Sequence, residues 1–363
     1  MTFDLHSPPF TTGALTTIPT SVDFNMLDTV AQRSGTFRFG LVDGVTGLVK
    51  DDLTPIRNAT LSHDTSRTIK RQLSLSLGTS DTARISPLTD RVLVYMVTAD
   101  GTEWLLGKYM FTDSSLAVST SGDLANVVLN DEMFLVDQQI SKGIDGVRKP
   151  ISTTVSLVMA EFPSITVDQE ACFFEGNQAW TVGAGRGQIL QDLALAGAMF
   201  SPWFDNRGAL RLIRAFDPTE KVPDFDFDTG KSVVRAGIVE TSDILTAPNR
   251  FIVISNTSEN GTAVVGIGDV PVNAPNSFAN RGFYIVQTED LQLNTASQAQ
   301  QVANNLALRS TVFERVTLTT PPDPRHDSYN VIKWQGDLWL ELAWDMNLSE
   351  GGLMNHSLRK AYT

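Results

Sequence analysis

Five residues, Gly183-Ala184-Gly185-Arg186-Gly187, stand ahead of a helical pattern, where backbone amides could cradle a phosphate. Dinucleotide binding needs G-x-G-x-x-G after a strand in a parallel βαβ unit; here the third glycine comes one residue early, among antiparallel patterns. No Gly-Lys-Ser/Thr ending follows for a P-loop, so the stretch reads as a flexible helix entry. Asp224-Phe225-Asp226-Phe227-Asp228-Thr229-Gly230 has the carboxylate spacing of a calcium loop, but its glycine is seventh rather than sixth and its twelfth position is Arg235. As a strand it turns Phe225 and Phe227 inward and leaves three carboxylates in water, charge that suits an edge. The histidines are His6, His63, His326 and His356, with no i, i+3 or i+4 pair to make a helical metal site. There is no G-x-S-x-G elbow for a serine nucleophile. Carboxylates in Asp323-Pro324-Arg325-His326-Asp327 could do acid–base work, though a proline-punctuated loop with solvated or paired charges accounts for them. The expectation is no catalytic residue, no cofactor and no metal ligand.

Composition narrows the classes further. Of 363 residues 42% are apolar, enough to bury a core, and the length suits two or three domains. With 28 basic against 41 acidic residues the formal charge is −13 and no region is basic, so a general grip on phosphate backbones is disfavoured. The single cysteine, Cys172, rules out an intrachain disulfide and any multi-thiolate zinc site. Met1–His6 carries no basic leader, and no apolar run is long enough to span a membrane, so no signal peptide or membrane span is expected.

Several elements would have to position these groups. Phe37, Phe39 and Leu41 alternate with polar residues, and Ile69, Leu73, Leu75 and Leu77 share one face opposite Lys70, Gln72, Ser74 and Ser76. Strands over 91–98 and 102–111 flank Asp100-Gly101, a dipeptide favoured in a type I′ turn, and the whole of 37–130 is read as antiparallel β. Ile151, Val155, Val158, Met159 and Phe162 repeat at helical spacing up to Pro163. Ile189, Leu190, Leu193, Ala196, Gly197 and Phe200 do so up to Pro202, followed by strand, turn and strand over 203–212. Strands are expected at 251–254, 263–267 and 282–286. A helix follows, opened by a Thr295-x-x-Gln298 capping box with Ala299, Val302, Ala303, Leu306 and Phe313 on one face. Leu338, Leu340, Leu342, Trp344, Met346 and Leu348 alternate with Trp339, Glu341, Ala343, Asp345 and Asn347 in a last strand. At an offset of 235, Gly101, Trp104 and Leu105 match Gly336, Trp339 and Leu340, a faint internal repeat.

The resulting division is an N-terminal arm at 1–36, a β domain at 37–145, a small α+β domain at 146–222 and a second β domain at 223–363 with a helix-containing insertion around 256–313. In the arm, Phe3, Leu5, Phe10 and Phe24 are isolated large apolar residues in a Pro/Thr-rich segment. Either the arm packs on its own domain or these four residues clasp a neighbouring subunit.

Certain stretches, taken in order, resemble the baseplate hub (tail-tip, minor tail) proteins of long-tailed phages, most of all those of actinobacterial phages. They are Leu53-Thr54-Pro55 through Ser66-Arg67-Thr68-Ile69-Lys70-Arg71-Gln72-Leu73-Ser74-Leu75, and Ile85-Ser86-Pro87-Leu88-Thr89-Asp90-Arg91-Val92 followed by Leu106-Gly107-Lys108-Tyr109-Met110-Phe111-Thr112-Asp113. Ser201-Pro202-Trp203-Phe204-Asp205-Asn206 with Gly208 and Leu210, Ala247-Pro248-Asn249-Arg250, and Pro321-Pro322-Asp323-Pro324-Arg325-His326-Asp327 complete the set. The resemblance covers about 37–363 and leaves out the arm. It implies a mainly β fold with an α+β insert: two tail-tube-like antiparallel β domains plus a small α+β domain.

It also implies a structural virion protein of a siphovirus at the distal end of the tail, made in the host cytoplasm. This would be a homotrimer whose six β domains adapt a sixfold tail tube to a threefold tip. Its implied partners are itself, the distal tail or tube protein, the C-terminus of the tape-measure protein and other tip proteins, with DNA only passing through the lumen. Larger hubs sometimes append a lysozyme or peptidase domain; none is read after the last strand, so no enzymatic activity is expected. Two other readings stand beside this one. Six Trp and five Tyr could give a carbohydrate-binding or receptor-binding tip protein sugar-stacking faces, although Trp104, Trp339 and Trp344 sit in strand patterns as core. Plentiful but unplaced carboxylates leave room for a cell-wall glycan hydrolase.

Overall fold

The computed structural model describes residues 35–55, 57–112, 124–172, 174–228, 235–236, 240–241, 246–255, 263–310 and 314–362. Phe3, Leu5, Phe10 and Phe24 of the arm, Gly230 of the acidic stretch, Phe313 and Asp113 lie outside the described residues.

Seven strands come first: β1 (Gly35–Asp43), β2 (Val49–Leu53), β3 (Arg57–Asp64), β4 (Arg71–Gly78), β5 (Asp90–Thr98), β6 (Glu103–Phe111) and β7 (Leu124–Asn130), with a one-turn helix α1 (Thr79–Thr82) after β4. They pair antiparallel throughout, as the two-residue periodicity predicts. Every one of them contributes to a single core, from Leu41 and Leu53 through Leu61, Leu75 and Val94 to Val127, so this part of the sheet curls round its own apolar face. The β5–β6 turn departs from expectation. Gly101 has φ +84°, but Asp100 is not left-handed; the Gly101 amide donates to Thr98 O at 2.8 Å, giving a three-residue connection rather than a type I′ turn. Asp100 instead spends its carboxylate on the Thr102 amide and the Thr98 hydroxyl.

The middle of the chain is α+β: α2 (Met133–Val136), β8 (Ile144–Asp145), α3 (Ile151–Val158), β9 (Val167–Gln169), β10 (Ala179–Trp180), α4 (Arg186–Ala196), β11 (Trp203–Phe204) and β12 (Leu210–Leu212). Ile151, Val155 and Val158 of α3 pack with Ile189, Leu190 and Leu193 of α4 in a core of their own. Helix α4 stops short of Phe200 because the chain turns at Gly197 and Ala198, the latter at φ +53°.

The last third holds β13 (Phe225–Asp226), β14 (Arg235–Ala236), β15 (Glu240–Thr241), β16 (Arg250–Ser255), β17 (Val264–Asp269), α5 (Phe278–Arg281), β18 (Val286–Asp290), α6 (Ala296–Ser310), β19 (Glu314–Thr320), β20 (Val331–Trp334), β21 (Asp337–Asn347) and β22 (Met354–Lys360). The strand expected at 282–286 begins only at Val286, since Gly282 at φ +76° caps α5. The capping box is one-sided. The Thr295 hydroxyl accepts from the Gln298 amide at 3.1 Å, but Gln298 Oε1 accepts from Asn294 N, and its amide donates to Ala196 O at 2.8 Å.

A fourteen-stranded sheet joins the two ends of the chain, β3 lying beside β21 with Leu61 opposite Met346. One strand order occurs twice in it. β1-β5-β6-β7-β4-β3 is matched by β13-β20-β21-β22-β19, with β14 and β15 on the outer side of β19. The matched pairs agree in direction except that β13 lies parallel to β20 where β1 is antiparallel to β5. Gly101 and Gly336, the glycines that the 235-residue offset aligns, sit at equivalent hairpin turns, both with positive φ. In β21 the expected alternation breaks at a bulge: Leu342 has no partner in the register with β22, so Trp339 and Glu341 share a face with Trp344 and Met346, while Leu340 is buried on the other.

Candidate functional site

A serine–histidine contact exists, but it lacks the rest of a catalytic triad. The Ser328 hydroxyl lies 2.9 Å from His63 Nε2, both side chains are buried, and the outer nitrogen Nδ1 of His63 has no hydrogen-bond partner. A serine nucleophile needs an acid there to orient the imidazole, and access for a substrate. Burial, reinforced by Arg71 and Lys70, also drives the His63 pKa well down, so the ring is a neutral part of the core, stacked on Trp344.

The glycine loop is a helix entry whose anion position is already filled. The Gly187 amide donates to the Asp137 carboxylate, placing an internal negative charge at the start of α4. Arg186 is buried and donates to Gln139 O at 2.9 Å and to Glu161. A Cβ at Gly187 would come 2.8 Å from Asp137 Cγ. Gly187→Ala is therefore expected to lower stability by about 1 kcal/mol, loss of the charged hydrogen bond outweighing the better helix former. Urea titration should show the same change as neutral or stabilising in an Asp137→Ala background. Equal effects in both backgrounds would contradict this account.

The acidic stretch is structural as well. Phe225 and Phe227 point inward; Asp224 accepts from the Val331 amide at 2.7 Å and Asp228 from the Gly336 amide at 2.9 Å. Asp226 and Asp228 face Lys333. In the loop 321–330 the charges are paired rather than solvated: Asp323 binds Arg325, His326 meets Glu341, and Asp327 meets Arg71.

That last pair belongs to a junction that sequence reading missed. Lys70, assigned to the polar outer face, is in fact 1% exposed, and Arg71 beside it is equally buried, because the α+β segment covers the start of β4. Lys70 Nζ donates to Thr65 O, Arg67 O and Ser201 Oγ, each at 2.9 Å. Burial pushes its pKa down to about 8, although Asp131 and Asp64 pull the other way. Arg71 donates to Leu106 O at 3.2 Å, to Asn206 Oδ1 and to Asp327 Oδ1, and lies over the Trp344 ring at 5.7 Å. Desolvation opposes its charge, yet Asp327, Tyr109 and the carboxylates of Asp205 and Asp131 raise its pKa.

Local structure presents each partner. Asp205 accepts from the Arg207 and Ala209 amides and Gly208 turns at φ +78°, which holds Asn206 at the tip of the β11–β12 loop. Asn206 then donates to Pro324 O and His326 O, while Trp203 Nε1 donates to Asp327 Oδ1 at 3.1 Å. Four of the stretches that carry the tail-protein resemblance thus converge here, through Arg71, Leu106, Asn206 and Asp327. The signal available in the sequence was the Lys70-Arg71 pair directly ahead of a strongly alternating strand.

A second feature faces outward. Sheet β17-β16-β18 is covered on one side by α6, with Val253 turned inward, while Val265, Ile267 and Val286 are exposed on the other. Beside them Phe278 stacks on Tyr284 at 4.5 Å, and Arg250 lies 3.5 Å from the Tyr284 ring centre while paired with Asp269. Phe283 is exposed next to this group. No described helix is long and apolar enough to cross a membrane.

No protein-family model matches the chain, and no curated protein matches it. Solved structures do. A prophage MuSo2 43 kDa tail protein from Shewanella oneidensis superposes with a TM-score of 0.60 at 14% identity, covering 89% of this chain and 98% of that one. The fold is that of phage tail proteins. A tail protein from Neisseria meningitidis gives 0.59 at 14% identity over 89% and 96% of the two chains. Prophage tail protein gp18 from Listeria monocytogenes gives 0.60 at 7% identity over 89% and 94%. Identities this low carry the architecture and not the residues, so the mainly β fold with its α+β segment is what the three share with this chain.

Proposed function

We propose that this chain is a structural virion protein of a phage tail: a baseplate hub at the distal end, assembled as a homotrimer. In this reading 37–145 and 223–363 are two tube-like β domains flanking an α+β domain at 146–222, and three chains adapt a sixfold tail tube to a threefold tip. The observation that carries it is likeness in fold to tail proteins along nearly the whole of both chains. The strand order that occurs twice in one chain supports six similar units per trimer. A charge of −13 suits a lumen through which DNA slides without being held. Uncovered apolar surface around Val265 and Ile267 suits a protein that works by assembly. The ordered sequence stretches favour the version carried by actinobacterial phages, with the distal tail protein, the tape-measure C-terminus and other tip proteins as partners, and with no enzymatic activity.

The receptor-binding reading has less to stand on. Trp180, Trp203, Trp334, Trp339 and Trp344 are buried, which leaves few indole faces for sugar stacking. Light scattering on a sizing column decides between the two. Three times the 39.6 kDa protomer mass is the expected result. A monomer at every concentration that also binds purified host cell wall would replace the hub with a receptor-binding protein.

A further inference from the structure

His326, Glu341 and His356 are far apart in sequence and meet inside the protein. Glu341 is on β21, His356 on the neighbouring β22 and His326 in the 321–330 loop, and all three are buried. His326 Nδ1 lies 2.9 Å from Glu341 Oε2, and His356 Nδ1 lies 2.6 Å from Glu341 Oε1. One donor atom from each residue falls within 4.8 Å of the others. We propose that this cluster binds one divalent transition-metal ion, zinc by preference, through Nδ1 of His326, Nδ1 of His356 and the Glu341 carboxylate. The inference does not depend on the tail-protein reading.

Proton accounting allows the cluster two arrangements. The Thr320 hydroxyl has one hydrogen and two acceptors in reach, Pro321 O at 2.9 Å and His356 Nε2 at 2.8 Å. Donated to Pro321 O, it leaves Thr320 to accept from a protonated Nε2; donated to Nε2, it leaves the ring proton on Nδ1, bonded to Glu341. In the first arrangement Nδ1 presents a lone pair to a carboxylate oxygen, a contact that requires a cation. That cation is either a second proton on the ring or a metal ion.

Three features favour the metal. Two imidazole nitrogens and one carboxylate are a donor set suited to zinc, a water completing the shell. A hydrogen-bond partner on the outer nitrogen is what a metal-bound histidine ordinarily has, and Thr320 supplies it for His356. The two rings lie with centroids 4.7 Å apart, and His326 is stacked flat on Phe225 at 3.9 Å, so both nitrogens are aimed before any ion arrives. Binding expels the proton that His356 shares with Glu341 and moves the His326 proton to Nε2, which is buried without a partner. This cost places the affinity below that of a site with both outer nitrogens paired.

The ion would staple the 321–330 loop to the sheet. That loop also supplies Asp327 to Arg71 and two carbonyls to Asn206, so the site would support the junction described above.

Because the cluster is sealed, the full chain should be unfolded in guanidinium with chelator, then refolded with Zn2+, with Co2+ or with EDTA, and desalted. We expect about one zinc per chain by elemental analysis, a thermal midpoint higher than that of the EDTA sample, and visible absorption of the Co2+ form typical of low coordination number. His326→Asn and His356→Asn should each reduce bound zinc to about a tenth of an equivalent or less. Folded wild-type chain with no bound zinc and no Co2+ band overturns the proposal and leaves a proton in the cluster. Zinc retained in both folded variants overturns it too, by placing the ion elsewhere. If neither variant folds, wild-type metal content and the Co2+ spectrum decide alone.

Discussion

Replacing Arg71 with methionine is expected to destabilise the protein by roughly 3 kcal/mol, the low end of the range for breaking a buried ion pair, because Arg71 is buried and Asp327 only partly so. Methionine keeps much of the apolar stem, so the loss is mostly polar. Leu106 O and Asn206 Oδ1 each lose a donor, and Asp327, 29% exposed, keeps Trp203 Nε1 but loses its counter-charge. The pair is a weak net source of stability, but half of it is worse than none. Asp327→Asn should therefore cost distinctly less in the Arg71→Met background than in the wild type, because it removes the charge that the first change strands. Urea unfolding of the two single variants and the double variant measures this as a coupling of about 2 kcal/mol. Additive costs would show that Arg71 and Asp327 do not act as a pair.

The same residue marks where the sequence stopped being informative. Alternation in β4 and the helical spacing in α3 and α6 are local properties, set by which side of one element faces a core, and they were readable from residue order alone, whereas the bulge that breaks the alternation of β21 at Leu342 was not. What covers the second face of an element is not local. Lys70 falls on the nominally polar side of its strand yet is buried because the α+β segment is laid over it, and Glu341 is brought to the face of Trp344 and Met346 by the bulge at Leu342. Burial of such groups is tolerable only with partners; for Lys70 one of the three, Ser201, comes from chain more than a hundred residues away, and for Glu341 they come from another strand and a loop. The two metal-site histidines are each fifteen residues from Glu341, a spacing that means nothing until the β21–β22 register and the loop path are known. The turn at Asp100-Gly101 fails for a smaller reason: Asp100 has a better use for its carboxylate than the left-handed conformation the dipeptide permits.

Gly266→Ala and Gly268→Ala are each expected to destabilise the protein by about 3 kcal/mol, at the upper end of overpacking costs. The two glycines are consecutive inward positions on β17, and α6 lies against them backbone to backbone. A Cβ at Gly266 would overlap the carbonyl of Ala299, and one at Gly268 the carbonyl of Ala303. The spacings agree: two residues along a strand advance about 6.6 Å and four along a helix about 6 Å, so each glycine receives one helical turn. A side-chain clash could be relieved by changing a rotamer, but here the obstacle is the helix itself. Alanine's lower chain entropy in a strand offsets only about 0.5–1 kcal/mol of the cost.

The discriminating control is Ala299→Gly, which removes a methyl group without moving the carbonyl and should give Gly266→Ala no rescue. Rescue, or a cost below about 1 kcal/mol, would mean that α6 is free to shift. The consequence extends beyond the small sheet, because α6 also holds the turn after α4: Gln298 donates to Ala196 O, Asn305 to Ala198 O at 2.9 Å and Arg309 to Met199 O. Displacing the helix should loosen both the exposed face at Val265 and Ile267 and the seat of the α+β segment. Hydrogen exchange in the Gly266→Ala variant should then rise in α6 and around 196–200 together, rather than in β17 alone.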